Sequence, residues 1–436
     1  MADTGRRHSM IRLRCRLALL STLLGGVGCG SNADSGRVEL RFWAMGREGE
    51  VVQELVRDFE REHPNIRVRV QQLPWTAAHE KLLTAFVGDA TPDIAQLGNT
   101  WIAEFDALHA LTPLDSSIRA SREVSAAEYF PGIWDTNILD GRVLGVPWYV
   151  DTRLLFYRKD ILARAGYAAP PATWAEWQTM MERIKQQVGS ARYALFLPSN
   201  EWVQPVVLGL QAGSPILKDN AQYGAFSDSA FRRAFEFYVG LYRAGLAPVA
   251  GNNDVANPYQ EFGRGLFAQW ITGPWNIGEF ERRLPPDQQN EWATAPLPGP
   301  DAGTPGISLA GGSSLVLFRR SKHPVESWQL IEFLSRPAEQ LQFYRLTGDL
   351  PARTAAWNDS SLIGNQYAHA FWDQLHRVKP TPQVPEWELI VTKVFDYAEQ
   401  SIRGGRPIDS TLAALDADVN DVLAKRRWML AHEAHR

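Results

Sequence analysis

The sequence predicts an α/β protein built from two lobes. With 436 residues, the chain is too long for one ordinary hydrophobic core, so more than one folding unit is expected. Its composition of 45% hydrophobic and 22% charged residues is that of a soluble globular protein. Near the N-terminus a strand, a helix and a second strand follow one another within about thirty residues, a spacing typical of a parallel sheet with a right-handed crossover.

The first elements alternate between strand and helix patterns. The segment VELRFW places Val38, Leu40 and Phe42 on one face, as a strand does. The segment EGEVVQELVRDFEREH then carries an apolar helical stripe, which His63 and Pro64 end. IRVRV alternates again, a second helical stripe follows, and DIAQL is typical of a strand. These patterns predict an open α/β first lobe.

Helical patterns dominate from the segment YRKDILARAG onward. The segment SDSAFRRAFEFYVGLYRAG has one apolar face, with Ser227 as its expected N-cap and Gly245 as its expected C-cap. Residues 295–308 are rich in Pro and Gly and predict a surface crossing. LAGGSSLVLF then predicts a strand entered through a glycine pair, and the rest of the chain is expected to be mostly helical.

The N-terminus predicts export. Residues up to Arg16 are rich in arginine, and the apolar run LALLSTLLGGVG follows before Cys29. Its length suits a signal peptide of residues 1–29 and is short of the ~20 residues that a membrane-spanning helix needs. Cys29 and the polar GSNADSG resemble a bacterial lipoprotein processing site, although Gly26 stands where such sites usually have leucine. Cleavage without lipidation and a start at Met10 are the alternatives.

Charge and missing motifs argue against several function classes. Residues 1–28 hold five Arg and one Asp, so the rest of the chain carries 40 basic against 48 acidic groups, a balance of −8 that argues against nucleic acid. Catalytic and nucleotide-binding motifs are missing, histidines are dispersed, and Cys15 and Cys29 are the only cysteines. We therefore expect no cofactor, metal or catalytic residue. A carboxylate pair for glycoside hydrolysis stays open, because its spacing is spatial.

Eight features occur in an order that carries a family resemblance: the signal with its cysteine, FWAMG, FEREHPNIRV, GDATPDIAQLGNTWIAEF, GVPWYVDTRLLFYRKDILARAG, GPWNIGEF, LAGGSSLVLF and GDLPARTAAW. This order resembles the extracellular solute-binding proteins of carbohydrate ABC transporters, within which the chain is most similar to the maltose/trehalose-binding group. The resemblance implies a type II periplasmic-binding-protein fold with discontinuous lobes joined by a hinge. Lobe 1 would comprise residues 37–147 and 306–350, and lobe 2 residues 148–305 and 351–436.

Three loops at the carboxyl ends of predicted strands, AMGREGE, GNTW and PWYVD, are candidate site loops, because open α/β sheets bind ligands beyond these strand ends. Sugars need acceptors for paired hydroxyls, hydrogen-bond donors and an aromatic platform for the apolar ring face. Together with the resemblance, this chemistry predicts the following ligand-binding residues: Glu48, Asn99, Thr100, Tyr149, Asp151, Trp275, Gly311, Gly312 and Arg353.

Several candidates have a structural alternative. Asp151 is predicted to accept from two adjacent hydroxyls, and otherwise caps local amides at a strand end. Trp275 stands in a Gly/Pro-rich loop, where sugar stacking competes with burial as a loop anchor. Arg353 resembles the family's fork to sugar hydroxyls, and its alternative is an interlobe ion pair. Glu48 otherwise serves as a favourable charge at a helix N-terminus, and the glycine pair as a tight turn.

The sequence thus predicts a non-enzymatic binding component of an ABC sugar importer. A disaccharide or short oligosaccharide would bridge both lobes and shift an open–closed equilibrium. The expected partners are the carbohydrate and the permease subunits of the transporter, and the protein is expected to be a monomer in the periplasm or at the outer face of the bacterial cell membrane. The rival interpretations are an exported carbohydrate-active enzyme, a binding protein for a non-sugar solute, and a sensor that serves a chemoreceptor.

Overall fold

Two β-sheets organise the chain, as a computed structural model of residues 36–433 shows. The predicted signal peptide, residues 1–29, and its Cys29 lie outside these described residues. Within the described part, the larger sheet has six strands and the smaller has three, and three two-stranded pairs complete the set. Helices surround both sheets, so the predicted α/β fold class is confirmed.

The strands are, in chain order, β1 (Val38–Met45), β2 (Ile66–Leu73), β3 (Ile94–Gly98), β4 (Ile138–Leu139), β5 (Arg142–Val143), β6 (Val146–Asp151), β7 (Leu154–Arg158), β8 (Leu217–Lys218), β9 (Tyr223–Gly224), β10 (Gln269–Thr272), β11 (Trp292–Ala295), β12 (Ser308–Leu309), β13 (Gly311–Leu317), β14 (Leu350–Pro351) and β15 (Val378–Lys379).

The α-helices are α1 (Gly46–Glu62), α2 (Trp75–Val87), α3 (Ile102–Ala107), α4 (Asp115–Ala120), α5 (Pro131–Asp135), α6 (Lys159–Arg164), α7 (Trp174–Val188), α8 (Val203–Gln211), α9 (Ser229–Arg243), α10 (Pro258–Gly263), α11 (Asn276–Arg283), α12 (Pro324–Leu334), α13 (Pro337–Thr347), α14 (Ser360–Ile363), α15 (Ala368–Leu375), α16 (Trp387–Gly404), α17 (Ile408–Val422) and α18 (Ala424–Glu433). Of the helices in the described part of the chain, none is long and apolar enough to cross a membrane.

The large sheet is mixed, with the strand order β14-β6-β13-β3-β1-β2. β1 is parallel to β2 and to β3, and α1 forms the crossover between β1 and β2, as the sequence predicts. The predicted stripe of α1 is buried in the core, with Val52, Leu55 and Phe59 fully enclosed. Because β13 is antiparallel to both β3 and β6, the carboxyl ends of β1, β3 and β6 lie at the same edge of the sheet.

The small sheet has β7 at its centre, antiparallel to β10 and β11. Aromatic side chains pack on it, and Phe156 of β7 stacks on Trp292 of β11 with 5.9 Å between ring centroids. On the helical side, Trp177 of α7 is buried and donates its indole hydrogen to Gln269 of β10 over 2.8 Å. This tryptophan therefore belongs to the core.

Helix α9 begins one residue later than the sequence predicts. Its N-cap is Asp228, and the predicted cap Ser227 instead donates its backbone N–H to Asp416 of α17 over 2.8 Å. The chain is held there by a partner distant in sequence, which local cap preferences do not reveal. At the other end Ala244 is the C-cap, and Gly245 follows it with φ of 65°.

The predicted lobe boundaries stay a prediction. The predicted division between residues 147 and 148 falls within β6, which pairs with β13 over Val146–Asp151 as part of the large sheet. β13 comes from the predicted second segment of lobe 1 and also pairs with β3. The large sheet therefore draws strands from separate parts of the chain.

Candidate functional site

A cavity of about 430 Å³ lies at the edge of the large sheet where β1, β3 and β6 end. Each of the three predicted site loops reaches it. Glu48 comes from the first turn of α1, Asn99 and Thr100 from the turn after β3, and Tyr149 and Asp151 from the end of β6. The strand ends of the large sheet thus bring these loops together at the place where open α/β sheets bind ligands.

The rest of the lining comes from segments beyond these strand ends, including the start of α8, the residue before α11, β13 and α16. The lining consists of Glu48, Trp75, Gly98, Asn99, Thr100, Trp101, Tyr149, Asp151, Arg153, Trp202, Val203, Trp275, Leu309, Ala310, Gly311, Gly312, Ser313, Asp349 and Glu388.

Tyr149 lies at the centre of a buried hydrogen-bond network in the cavity wall. Its hydroxyl donates to Glu48 Oε1 over 2.8 Å and accepts from Ser313 Oγ at 3.0 Å and from Gln96 Nε2 at 3.1 Å. Burial raises the pKa of Glu48, although hydrogen bonds from its own backbone amide and from Tyr149 oppose the rise. The network holds the Glu48 carboxyl and the Tyr149 ring in fixed positions at the cavity.

Arg153 joins two of the predicted ligand contacts. Its Nη1 donates to Asp151 Oδ1 over 2.6 Å, and its guanidinium carbon lies 4.6 Å from the centre of the Trp275 ring. This second distance is within the range of a cation–π contact. The Trp275 side chain remains 36% exposed, so the indole keeps a surface that a ligand can reach.

Asn99 and Thr100 have different partners. Thr100 Oγ1 donates to Glu388 Oε1 of α16 over 2.7 Å, and Asn99 Nδ2 donates to Thr136 Oγ1 over 2.8 Å. Burial raises the pKa of Glu388, while the bond from Thr100 lowers it. Asn99 Oδ1 is buried and finds no hydrogen-bond partner within residues 36–433. An unpaired buried acceptor is costly unless a donor reaches it.

Two tryptophans form one wall of the cavity. Trp75 and Trp101 pack edge to face with 5.7 Å between ring centroids, and His79 of α2 lies 5.1 Å from Trp101. His79 Nε2 is 2.6 Å from Glu104 Oε2, and this hydrogen bond raises the pKa of His79. The imidazole therefore supports Trp101 beside the cavity.

The glycine pair opens β13, as the sequence predicts. Gly312 has φ of 129°, and a Cβ atom there would lie 2.3 Å from the carbonyl oxygen of Tyr149 on the neighbouring strand. A Cβ atom on Gly311 would lie 2.7 Å from the carbonyl oxygen of Asp151. Both residues must be glycine for β13 and β6 to approach this closely. They lie in a paired strand and not in the tight turn that was the alternative, and both line the cavity.

Arg353 does not line the cavity. Its side chain is buried, and Nη1 donates to the backbone carbonyls of Glu123 at 2.5 Å and Ser335 at 2.9 Å, while Nη2 bonds the carboxylate of Glu128. These contacts connect the turn after β14 to the segment before α5. The role of Arg353 is therefore structural. Asp349, from the same GDLPARTAAW motif, lines the cavity in its place.

Carboxylates dominate the charge of the lining. Among the described residues, four acids reach it, Glu48, Asp151, Asp349 and Glu388, and Arg153 is the one basic side chain. Burial raises the pKa of Asp349 well above its ordinary value, and the charge of Glu48 raises it further. The site offers many hydrogen-bond acceptors but little positive charge to offset the negative charge of an anionic ligand. The described part of the chain holds no group of three His, Cys, Asp or Glu side chains arranged for a metal ion.

Several residues of the lining were not predicted from the sequence. Trp101 follows the predicted contact Thr100, and Arg153 stands two residues after the predicted contact Asp151, so proximity to these residues at a strand end was the available signal. Asp349 likewise lies in a motif from which another residue was chosen. Trp202 at the start of α8 and Glu388 in α16 reach the cavity only through tertiary packing, for which the local sequence carries no signal.

Comparison with known proteins identifies the family. A family model for bacterial extracellular solute-binding proteins matches residues 44–341. The chain belongs to this family.

Individual family relatives match most of the chain. The structure of the sugar-binding protein MalE from Xanthomonas citri is 50% identical, superimposes with a TM-score of 0.87, and is matched over 90% of this chain and 99% of its own. A diacetylchitobiose-binding protein, DasA, of Streptomyces coelicolor is 24% identical over 86% of this chain and 87% of its own. An uncharacterized lipoprotein of Streptomyces antibioticus is 27% identical over 86% of this chain and 85% of its own.

Proposed function

We propose that the protein is the substrate-binding component of an ABC-type sugar importer and that its cavity takes a disaccharide or a short oligosaccharide. The observation that carries the proposal is the convergence of four indoles and four carboxylates on one cavity. Indoles offer flat apolar surfaces to the faces of sugar rings, and carboxylates accept from paired hydroxyls. The 50% identity to a sugar-binding protein supports the same ligand class.

Three of the predicted contacts, Asn99, Asp151 and Trp275, have a task in this proposal, together with Glu388. Trp275 stacks on a sugar ring, while Asp151 and Glu388 accept from hydroxyl groups. Asn99 Oδ1 receives the donor that it lacks within the described residues. The lining comes from segments far apart in the chain, so a bound sugar contacts several of them at once. The sugar binds the closed arrangement more tightly than the open one and therefore stabilises it.

The charges of the lining residues favour some classes of non-sugar ligand over others. An anionic solute such as a glycerol phosphate would meet four acids, and the single arginine of the lining is already paired with Asp151. A polyamine is the second candidate, because its ammonium groups would pair with the carboxylates and its cationic chain would lie over indole faces. Direct binding measurements separate the sugar from the polyamine.

We propose that the protein binds its ligand without turnover. The family consists of extracellular solute-binding proteins, and two carboxylates of the lining, those of Asp151 and Glu388, are assigned to hydrogen bonds with the ligand. We further propose a monomer that is tethered through a lipidated Cys29 and delivers its ligand to the permease subunits. The similarity to a lipoprotein of Streptomyces antibioticus supports the tether.

The test is calorimetric titration of the chain that starts after Cys29. The panel contains glucose, maltose, trehalose, sucrose, xylobiose and maltodextrins, with spermidine and glycerol 3-phosphate as non-sugar arms. Product analysis is run on the same samples. Saturable binding of at least one sugar without product supports the proposal. Binding confined to a non-sugar arm, or a product formed from a sugar, would overturn it.

A further inference from the structure

Arg153 occupies a position between two side chains to which the proposed function assigns ligand contact. Its Nη1 donates to Asp151 Oδ1 over 2.6 Å, and its guanidinium lies 4.6 Å from the centre of the Trp275 ring. The Arg153 side chain itself is only 13% exposed. A largely buried guanidinium with one carboxylate and one indole as neighbours has little freedom to leave either of them.

The indole of Trp275 is also confined by the backbone. A Cβ atom on Gly273 would lie 2.0 Å from the Trp275 ring, so the indole packs directly against a residue that has no side chain. Gly273 therefore leaves room for the ring, and Arg153 lies over it. The ring therefore has no room to tilt toward residue 273, and the guanidinium is a second contact of the indole.

The backbone of Arg153 is anchored as well. Its N–H donates to Ser308 Oγ over 3.1 Å, and the Ser308 hydroxyl donates to the Arg153 carbonyl oxygen over 2.7 Å. Ser308 belongs to β12, so this pair of bonds fixes Arg153 from a second strand. With its backbone anchored and its guanidinium in contact with both side chains, Arg153 connects Asp151 to Trp275.

We infer that Arg153 is a positioning residue that couples the Asp151 carboxylate to the Trp275 indole, so that the two act as one recognition unit. The inference rests on the proposed function for its ligand, although the coupling itself exists without one. A substitution at Asp151 should then change the environment of the Trp275 indole, and it should do so only while Arg153 is present.

The coupling is testable without a ligand by ¹⁹F NMR of protein labelled with 5-fluorotryptophan. The Trp275 signal is assigned as the one that Trp275→Phe removes. We expect Asp151→Asn and Arg153→Met each to move this signal, and Asp151→Asn to move it no further in the Arg153→Met background. Arg153→Lys keeps a charge for Asp151 but not the flat guanidinium, so it should move the Trp275 signal as well. Equal shifts from Asp151→Asn in both backgrounds, or no shift from Arg153→Met, would overturn the inference.

A matched control exists outside the cavity. Arg233 bonds Asp301 through both terminal nitrogens and lies 5.6 Å from the centre of the Trp174 ring, so it repeats the arrangement of arginine, aspartate and tryptophan. None of its three members lines the cavity. Arg233→Met should leave the Trp275 signal in place, which separates a local effect from a general response to the loss of an arginine.

Binding provides the second arm. With a sugar that the wild type binds, Asp151→Asn should weaken affinity by about tenfold, and by less than about threefold in the Arg153→Met background, because coupled residues are not additive. Independent losses in the two backgrounds would contradict the coupling. If the wild type binds no sugar, the proposed function fails, and the NMR arm still decides the role of Arg153.

Discussion

Thr100 donates its side-chain hydrogen to Glu388 over 2.7 Å, although the two residues stand 288 positions apart in the chain. The bond joins the turn that follows β3 to the first turn of α16, and both residues line the cavity. Sequence reasoning names Thr100 as a ligand contact, whereas the structure shows its hydroxyl already committed to a carboxylate. The two hydrogen-bonded side chains therefore form one part of the cavity wall.

Loss of this pair should weaken ligand binding. Thr100→Val and Glu388→Ala each remove this hydrogen bond, which leaves the cavity wall that the ligand contacts less well positioned, so we expect each to weaken affinity by about tenfold. The double variant should lose no more than the stronger single variant. Calorimetry on the three variants checks this. Additive losses would show that the two residues contact the ligand separately.

Trp275 should contribute more to binding than an equally exposed tryptophan elsewhere. Trp275→Ala should lower sugar affinity by about 1–3 kcal/mol, because an aromatic platform is lost. Trp372 is the matched control, since its side chain is also 36% exposed and it does not line the cavity. Trp372→Ala should leave the affinity unchanged within about twofold. Equal losses for both variants would mean that the effect of Trp275 is general destabilisation.

Asp349 should make the stability of the protein depend on pH. Burial raises its pKa well above the ordinary value, so the folded state holds this proton more tightly than the unfolded chain does. As pH rises above the unfolded pKa, the cost of keeping a buried carboxyl grows. Asp349→Asn should therefore raise the Tm at about pH 7.5 and have little effect at about pH 4. Scanning calorimetry at both pH values measures the difference.

Asp359 is the control of opposite sign for this prediction. Hydrogen bonds from Ser361 lower its pKa, so its contribution to stability is present above the unfolded pKa and is lost as pH falls through the folded pKa. Asp359→Asn should give no gain in Tm at about pH 7.5. A gain for Asp359→Asn that equals the gain for Asp349→Asn would show that net charge, and not burial, sets the effect.

Two glycine substitutions should change stability in opposite directions. Gly312→Ala places a Cβ 2.3 Å from the Tyr149 carbonyl oxygen at a φ of 129°, so we expect a loss of about 2–4 kcal/mol in the free energy of unfolding. Gly240 lies within α9 and has open space around its Cβ position. Gly240→Ala should stabilise by about 0.5–1 kcal/mol. Urea denaturation checks both, and a stable Gly312→Ala variant would contradict the packing of β13 on β6.

Much of the fold follows from local patterns. The alternation in VELRFW and IRVRV and the stripe of α1 fix a β-α-β unit, and the strand ends of that unit locate the site. Local patterns fail where a partner lies far away in the chain. Arg353 was predicted to donate hydrogen bonds to sugar hydroxyls, but its guanidinium donates to Glu128 and to two backbone carbonyls. Glu388 reads as an ordinary helical acid, and only the packing of α16 brings it to Thr100.

The four tryptophans of the cavity give the protein an optical signal of its own. Trp75, Trp101, Trp202 and Trp275 line a single space, and Trp275 is more than a third exposed there. Indole emission depends on contact with water, so we expect a ligand that displaces water from these four of the sixteen tryptophans to change part of the total emission. We therefore expect that the occupancy of the cavity can be followed in real time on the native chain, with no dye, no label and no substitution.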